Sequence, residues 1–199
     1  MQGKKLLVTA ICSITAFSAV IPAYADMSVP NGWYLEANAG TARESGKSYP
    51  GNASRSSASG NGNVGYKFMP YFGLEAGYSY YAQTTIKGAG GTKAGFDKHY
   101  SFDLAGKGIV PITDSGFELF AKVGVARISS QVTLKNAATA AAIGLTSGSH
   151  NKTGIYLGLG GQYYVMPDLA IVVQWQRAQG SSQTGTFDLY TAGLSFIVS

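Results

Sequence analysis

Residues 117–126 read Phe117-Glu118-Leu119-Phe120-Ala121-Lys122-Val123-Gly124-Val125-Ala126. The run looks like a core segment, yet it carries two charges. Burying either one without a partner would cost several kcal/mol, about the price of a lost ion pair. Splitting the run by parity gives a different picture. Phe117, Leu119, Ala121, Val123 and Val125 form one set, all apolar. Glu118, Phe120, Lys122 and Gly124 form the other, in which Phe120 is the misfit. A β-strand sends alternate side chains to opposite faces, so the two faces of this strand meet different environments.

The same alternation recurs in eight segments, at about 32–42, 61–68, 72–81, 99–110, 117–127, 153–164, 169–178 and 188–198. Leu169, Ile171, Val173 and Trp175 alternate with Ala170, Val172, Gln174 and Gln176. Tyr190, Ala192, Leu194, Phe196 and Val198 alternate with Thr191, Gly193, Ser195 and Ile197. Three connections are tight and rich in turn formers: 69–71, 112–115 and 165–168. Four are long, at about 43–60, 82–98, 128–152 and 179–187, and their Gly, Ser, Ala and Thr content predicts mobility. Within the third, "NAATAAAIGL" suits either a helical turn or a longer hairpin.

An even strand number, alternating short and long connections, and apolar/polar parity together predict an all-β fold: an eight-stranded antiparallel transmembrane β-barrel. Lipid satisfies no backbone polar group, so such a sheet must close on itself. The soluble alternative is a sandwich or lipocalin-like barrel, with the apolar face inward. Aromatic placement separates the two. With the short turns periplasmic and the apolar parity outward, Trp33, Phe68, Phe72, Phe117, Tyr163 and Phe196 fall near the lower rim. Tyr78, Tyr80, Tyr100, Trp175 and Tyr190 fall near the upper rim. Two belts are what membrane interfaces favour; a soluble core has no reason to sort aromatics by height.

The charges in the opening segment then point into the lumen, with Glu36, Lys67, Glu75, Asp103 and Lys107 from other strands. Eight strands leave an interior just wide enough for side chains to fill it. A one-residue slip would turn these charges into lipid at a total of about 10 kcal/mol, which fixes the register.

Composition agrees. The chain has 199 residues, 27 glycines, 13 tyrosines and 13% charged residues. Its start is a separate object. Lys4 and Lys5 precede an apolar stretch ending in Ala23-Tyr24-Ala25, the pattern of a secretory signal peptide cleaved after Ala25. Residues 1–25 are accordingly read as signal peptide and 26–199 as the barrel, in the outer membrane of a Gram-negative cell. Pro22 and the small-residue cleavage pair argue against an uncleaved anchor. Cys12, the only cysteine, lies within the signal, so the mature chain forms no disulfide. Two histidines and no mature cysteine give no metal-ligand spacing, and no cofactor or nucleic-acid motif is present.

"NGWYLEANAG", "VGYKFMPYFGLEAGYSYY", "GKGIVPITDSGFELFAKVGVA" and "GGQYYVMPDLAIVVQWQ" resemble the eight-stranded transmembrane domain of the outer membrane protein A family. The C-terminal "TAGLSFIV", through Thr191, Gly193, Phe196 and Val198, resembles the signal read by the barrel-assembly machinery, although Ile197, Val198 and Ser199 follow its aromatic. The resemblance implies a structural role in the outer membrane and loops that meet host or environmental ligands. Many family members carry a following peptidoglycan-binding domain; this chain stops at the barrel. The resemblance also implies a lumenal salt-bridge gate. Glu75 and Lys107 match two of its members, while Gln162 and Val172 stand where a second acid and an arginine would be. Glu36, Asp103, Glu118 and Lys122 join Glu75 and Lys107 as a candidate lumenal plug.

Three functional classes remain in play: a surface-interaction barrel, a narrow ion pore and a lipid-modifying enzyme. For the enzyme, His99, Ser101 and Asp103 supply triad chemistry, but along one strand they spread over about 13 Å, whereas nucleophile and base need contact at about 3 Å. A partner such as His150 would be required. The loops are basic: Arg43, Lys47, Arg55, Lys87, Lys93, Lys98, Arg127, Lys135, Lys152 and Arg177 oppose Glu44, Asp97 and Asp188. Arg127 and Arg177 share the lipid-facing parity at its upper end and are candidates for contact with lipopolysaccharide phosphates, and the loops for acidic host glycans. The expected partners are thus membrane lipid, lipopolysaccharide, the assembly machinery and a host surface ligand.

Overall fold

The computed structural model describes residues 29–53, 56–112 and 115–198. Eight long strands form the barrel: β1 (Gly32–Ser45), β2 (Ser56–Met69), β3 (Phe72–Lys87), β4 (Lys93–Ile112), β5 (Phe117–Leu134), β6 (Gly148–Met166), β7 (Leu169–Ala178) and β8 (Thr186–Val198). Each pairs antiparallel with the next. The sheet closes where β1 meets β8, in continuous register from Trp33 opposite Val198 to Ser45 opposite Thr186. A two-residue strand, Asn52–Ala53, pairs with the end of β3 at Lys87 and Ile86.

The apolar parity faces outward. Leu35, Leu74, Leu104, Val123, Leu157, Val173 and Leu194 are exposed, as are most of the aromatics assigned to the two belts, with Tyr100 and Trp175 partly covered. The opposite parity is buried and mostly polar, from Glu36 on β1 to Ser195 on β8. This inside-out arrangement is stable in lipid because every strand has two hydrogen-bonded neighbours and the hydrocarbon solvates the apolar exterior.

The tight turns lie where the sequence puts them. Gly116 takes φ 72 in the β4–β5 turn, a value that favours glycine. Ser115 Oγ donates to the Ile112 carbonyl at 2.6 Å and closes the same turn.

The outer ends of the strands run further than the alternation suggests. The β3 pattern breaks after Tyr81 because the register shifts between Tyr81 and Thr84. That bulge turns Thr84 and Ile86 inward, both buried, so the strand continues to Lys87 with its parity reversed. "NAATAAAIGL" resolves into both alternatives: β5 lengthens to Leu134, and a one-and-a-half-turn helix, α1 (Ala137–Ala142), follows. Its alanines favour helix, and the Asn136 side chain caps it by accepting from the Thr139 backbone N–H at 3.0 Å. Ala140 of α1 packs with Ile86, Ala94 and Leu145, flanked by Tyr49, Val132 and Ile143. The connections expected to be mobile thus build a small apolar cap over the outer mouth.

Candidate functional site: the layered lumen

The side chains of the inner face stack in alternating apolar and polar layers along the barrel axis. At the periplasmic end Tyr34, Tyr164, Ala170 and Ile197 pack together, and Ile109, Phe120 and Val172 form a second apolar group beside them. The ion network lies at this level and just above it. Lys67 donates to Glu118 at 2.9 Å, and Gln162 donates to the other Glu118 oxygen at 2.7 Å. Lys122 reaches Glu75 at 2.6 Å and Gln174 at 2.8 Å. Glu75 also accepts from the Tyr34 hydroxyl at 2.9 Å. Glu36 accepts from Asn38, Asn63 and Gln174 at 2.7, 2.9 and 2.7 Å.

Lys107 departs from the pairing that the resemblance implies. It lies 3.9 Å from Glu75 and 3.7 Å from Glu36, and its direct hydrogen bond, 3.1 Å, goes to Gln162. Lys107 and Lys122 face each other across β4 and β5. The two cations compete for Glu75, and Lys122 holds it. Gln162, standing where the resemblance places an acid, takes up Lys107 from β6, two strands away. Val172, where an arginine would stand, packs against Ile109 and Phe120 instead.

Phe120, the misfit of the opening segment, lies beneath both cations. The Lys107 ammonium is 4.3 Å and that of Lys122 5.2 Å from its ring centroid. The negative face of the ring offers two desolvated ammonium groups an attraction that an aliphatic side chain would not.

A second apolar layer closes over the network: Tyr81 stacked on Phe187 at 4.2 Å between centroids, with Tyr156, Ile128 and Leu189. Above it, level with or outside the upper aromatic belt, is a cluster that the sequence reading treated as loop charge. Lys47 is buried, bonded to Asp97 and, at 2.7 Å, to Ser130. Glu44 accepts from Tyr49 at 2.7 Å and from Thr84 at 3.1 Å. Burial, then the Glu44 and Asp97 carboxylates beside it, hold the Tyr49 phenol well above its usual range, so it remains a donor. Burial works against charge on Asp97, but the hydrogen bonds and charges of His99 and Lys47 outweigh it and hold the carboxyl below the usual carboxylate range. Lys47 is therefore not a solvated loop cation, and Glu44 and Asp97 do not offset the outer surface. Strand parity carried the signal for Glu44 and Asp97; Lys47 and Tyr49 follow the end of β1, where no periodicity applies.

His99, Ser101 and Asp103 line one strand without meeting. His99 Nε2 is 3.1 Å from Asp97, Ser101 pairs with the Tyr81 hydroxyl at 3.0 Å, and neither Asp103 oxygen has a hydrogen-bond partner among the described residues. His150 is exposed on β6. No nucleophile–base contact arises from them. Arg127 and Arg177 are exposed; Arg127 stands opposite Phe102 of β4, and Arg177 Nε lies 3.7 Å from Asp188. On β8, Thr191 lines the lumen and Phe196 and Val198 face outward.

These features define the class: a closed eight-stranded outer-membrane β-barrel of Gram-negative type. The chain belongs to the OmpA-like transmembrane domain family, which matches residues 29–197. The fold is also that of solved barrels with little sequence in common. The neisserial surface protein A superposes with TM-score 0.57 at 14% identity, over 84% of this chain and 97% of that one. The N-terminal barrel of OprF from Pseudomonas aeruginosa gives 0.56 at 14%, over 84% and 98%. Ail of Yersinia pestis, solved with the heparin analogue sucrose octasulfate, gives 0.51 at 15%, over 83% and 96%. The curated proteins contain no match.

Proposed function

We propose that this protein is a surface-interaction barrel: a lipid-anchored plug that presents a basic outer face to sulfated or phosphorylated ligands, lipopolysaccharide among them. One observation carries the reading. The structure internalises Glu44 and Asp97, while Arg43, Lys87, Lys93, Lys98, Arg127, Lys135, Lys152 and Arg177 stay exposed. The outer face is therefore more basic than a count along the sequence suggests, and among the described residues Asp188 is the acid left to oppose it. Such a field raises the local concentration of polyanions and steers their approach. Arg127 and Arg177, exposed at the upper end of the outward-facing parity, are the side chains suited to contact lipid phosphates. That Ail, a barrel of the same fold, was solved with a sulfated sugar supports the same chemistry.

The layered lumen supports a plug rather than a pore, and the separation of His99, Ser101 and Asp103 supports a non-enzymatic role. The leader, read as cleaved after Ala25, lies outside the described residues; export and delivery by the assembly machinery through Thr191, Gly193, Phe196 and Val198 belong to this proposal. Immobilised heparin tests the reading. The folded protein in detergent should be retained at low salt and released as salt rises. Replacing Lys93, Lys98 and Lys152 by Ser should weaken retention severalfold. Replacing Arg127 and Arg177 by Ser should leave heparin binding largely intact and reduce co-purifying lipopolysaccharide. Passage of the wild type through heparin unretained would sink the proposal.

A further inference from the structure

Three successive rows of outward-facing side chains cross β7, β8 and β1 toward the outer ends of the strands. The lowest is Val173, Ala192 and Ala39, the next Trp175, Tyr190 and Thr41, and the highest Arg177, Asp188 and Arg43. From row to row the wall passes from aliphatic to aromatic to charged. A bilayer passes from hydrocarbon through its interface to its headgroups in the same order.

The charged row is organised by Asp188, which stands beside both arginines in register. Its Oδ1 accepts from Trp175 Nε1 at 3.2 Å and lies 3.7 Å from Arg177 Nε. The Asp188 side chain is 17% exposed and that of Arg177 47%, so the carboxylate is recessed and the guanidinium stands clear of it. A guanidinium approached at Nε keeps N–H groups on its Nη atoms for a second acceptor. Arg43 is exposed and has no ion pair among the described residues. Two arginines therefore face one acid, with one positive charge over. Two strand spacings of about 4.8 Å separate them, a gap that side chains of this length can close around one phosphate group.

Below the charged row is an outward-facing hollow of about 380 Å³, bounded by Leu159, Val173, Trp175 and Tyr190. Val173 stands between Gly161 and Ala192 in register, and neither is large enough to shield it. Trp175 belongs to both parts: its indole N–H holds Asp188 while its ring bounds the hollow. Arg127 has no such companions; its register neighbours are Phe102 and Thr153.

We propose that Arg43 and Arg177 clamp a phosphate of lipid A, the membrane anchor of lipopolysaccharide, and that the hollow beneath takes one of its acyl chains. Asp188 is a positioning residue for Arg177. A phosphomonoester carries up to two negative charges, which suits two guanidinium groups better than the single charge of a phospholipid diester. A second copy of the chain packed symmetrically on this face would set the surplus positive charge against itself. The inference rests on the proposed surface reading and narrows its lipid arm to one site.

The chain has two tryptophans, so Trp33→Phe leaves Trp175 as the reporter. The folded protein is placed in phosphatidylcholine nanodiscs carrying rising fractions of lipid A. Trp175 emission should change and saturate. Arg43→Ser or Arg177→Ser should raise the half-saturating fraction about tenfold, as loss of a charge-assisted hydrogen-bonding partner would. Arg177→Lys, which keeps the charge but lacks the planar fork, should raise it nearly as far. Arg127→Ser should leave this signal unchanged. Dephosphorylated lipid A and phosphatidylglycerol should give no saturable change. An equal response to phosphatidylglycerol, or an undiminished response in Arg43→Ser, overturns the proposal. Heparin separates this site from the wider reading. Retention on heparin with no response to lipid A refutes the site alone; a saturable response in a protein that heparin fails to retain supports the site and refutes the basic-face reading.

Discussion

Lys122 and Glu75 are the residues on which the interior turns. Both are fully buried, 2.6 Å apart, and each holds a further neutral partner, Gln174 and Tyr34. Removing one member leaves the other charged in a low-dielectric layer, which typically costs about 3–5 kcal/mol. We expect Lys122→Met to lower unfolding stability by about that amount. Glu75→Gln combined with Lys122→Met should recover part of it, and the interaction should appear as a non-additive term in a double-mutant cycle. Lys107→Met combined with Glu75→Gln should be closer to additive, because Gln162 takes the direct hydrogen bond of Lys107. The reverse ranking of the two cycles would contradict the pairing described here. Sequence alone identified the lumenal charges, since parity is a local property. It did not select partners among them. Which of two lysines captures Glu75 depends on β4 and β5 placing Lys107 and Lys122 side by side and on Gln162 reaching across from β6, a relation among three strands that no spacing along the chain encodes.

The strands themselves were legible wherever lipid and lumen impose opposite demands on neighbouring residues. Beyond the upper belt both faces are wet or capped, the alternation loses its cause, and the readable pattern stops near Tyr81 and Arg127 although the strands continue to Lys87 and Leu134. The cap formed there depends on Asp97, which ties β4 to Lys47 of the β1–β2 connection and Ser130 of β5. Its native carboxyl ionises below the ordinary range. A depressed native value means that the stability it contributes is present above the unfolded carboxylate range and is lost as pH falls through that range toward the native value. Protease resistance of the connections that follow β1 and β5 should therefore decline on acidification while the barrel strands remain protected. Asp97→Asn should weaken the cap at neutral pH by about 2 kcal/mol and flatten its acid response. Hydrogen exchange at Ala140 and Leu145 reads both effects; an unchanged acid response in Asp97→Asn would assign it to another group.

For the whole molecule, the layers make a prediction about transport. Apolar strata at Tyr34–Tyr164 and Tyr81–Phe187 lie on either side of an ion network, and the proposed plug rests on them. Liposomes carrying the folded mature chain should not swell in small sugars, and conductance across planar bilayers should be small and rare compared with that of a general porin. Rapid swelling would replace the plug with a channel.

The seam between β1 and β8 joins residues more than 140 positions apart, from Ser45–Thr186 to Trp33–Val198. Contacts so distant along the chain form late, after the entropy of closing the whole loop has been overcome. Yet β1 carries Tyr34, Glu36 and Asn38, and the first two complete the surroundings of Glu75, Lys107 and Lys122. While the seam is open, those lysines face a half-formed cup that admits solvent. The last strand pairing therefore expels water and assembles the ionic interior in a single cooperative event, which makes closure both the slow step of folding and the first barrier that unfolding must cross.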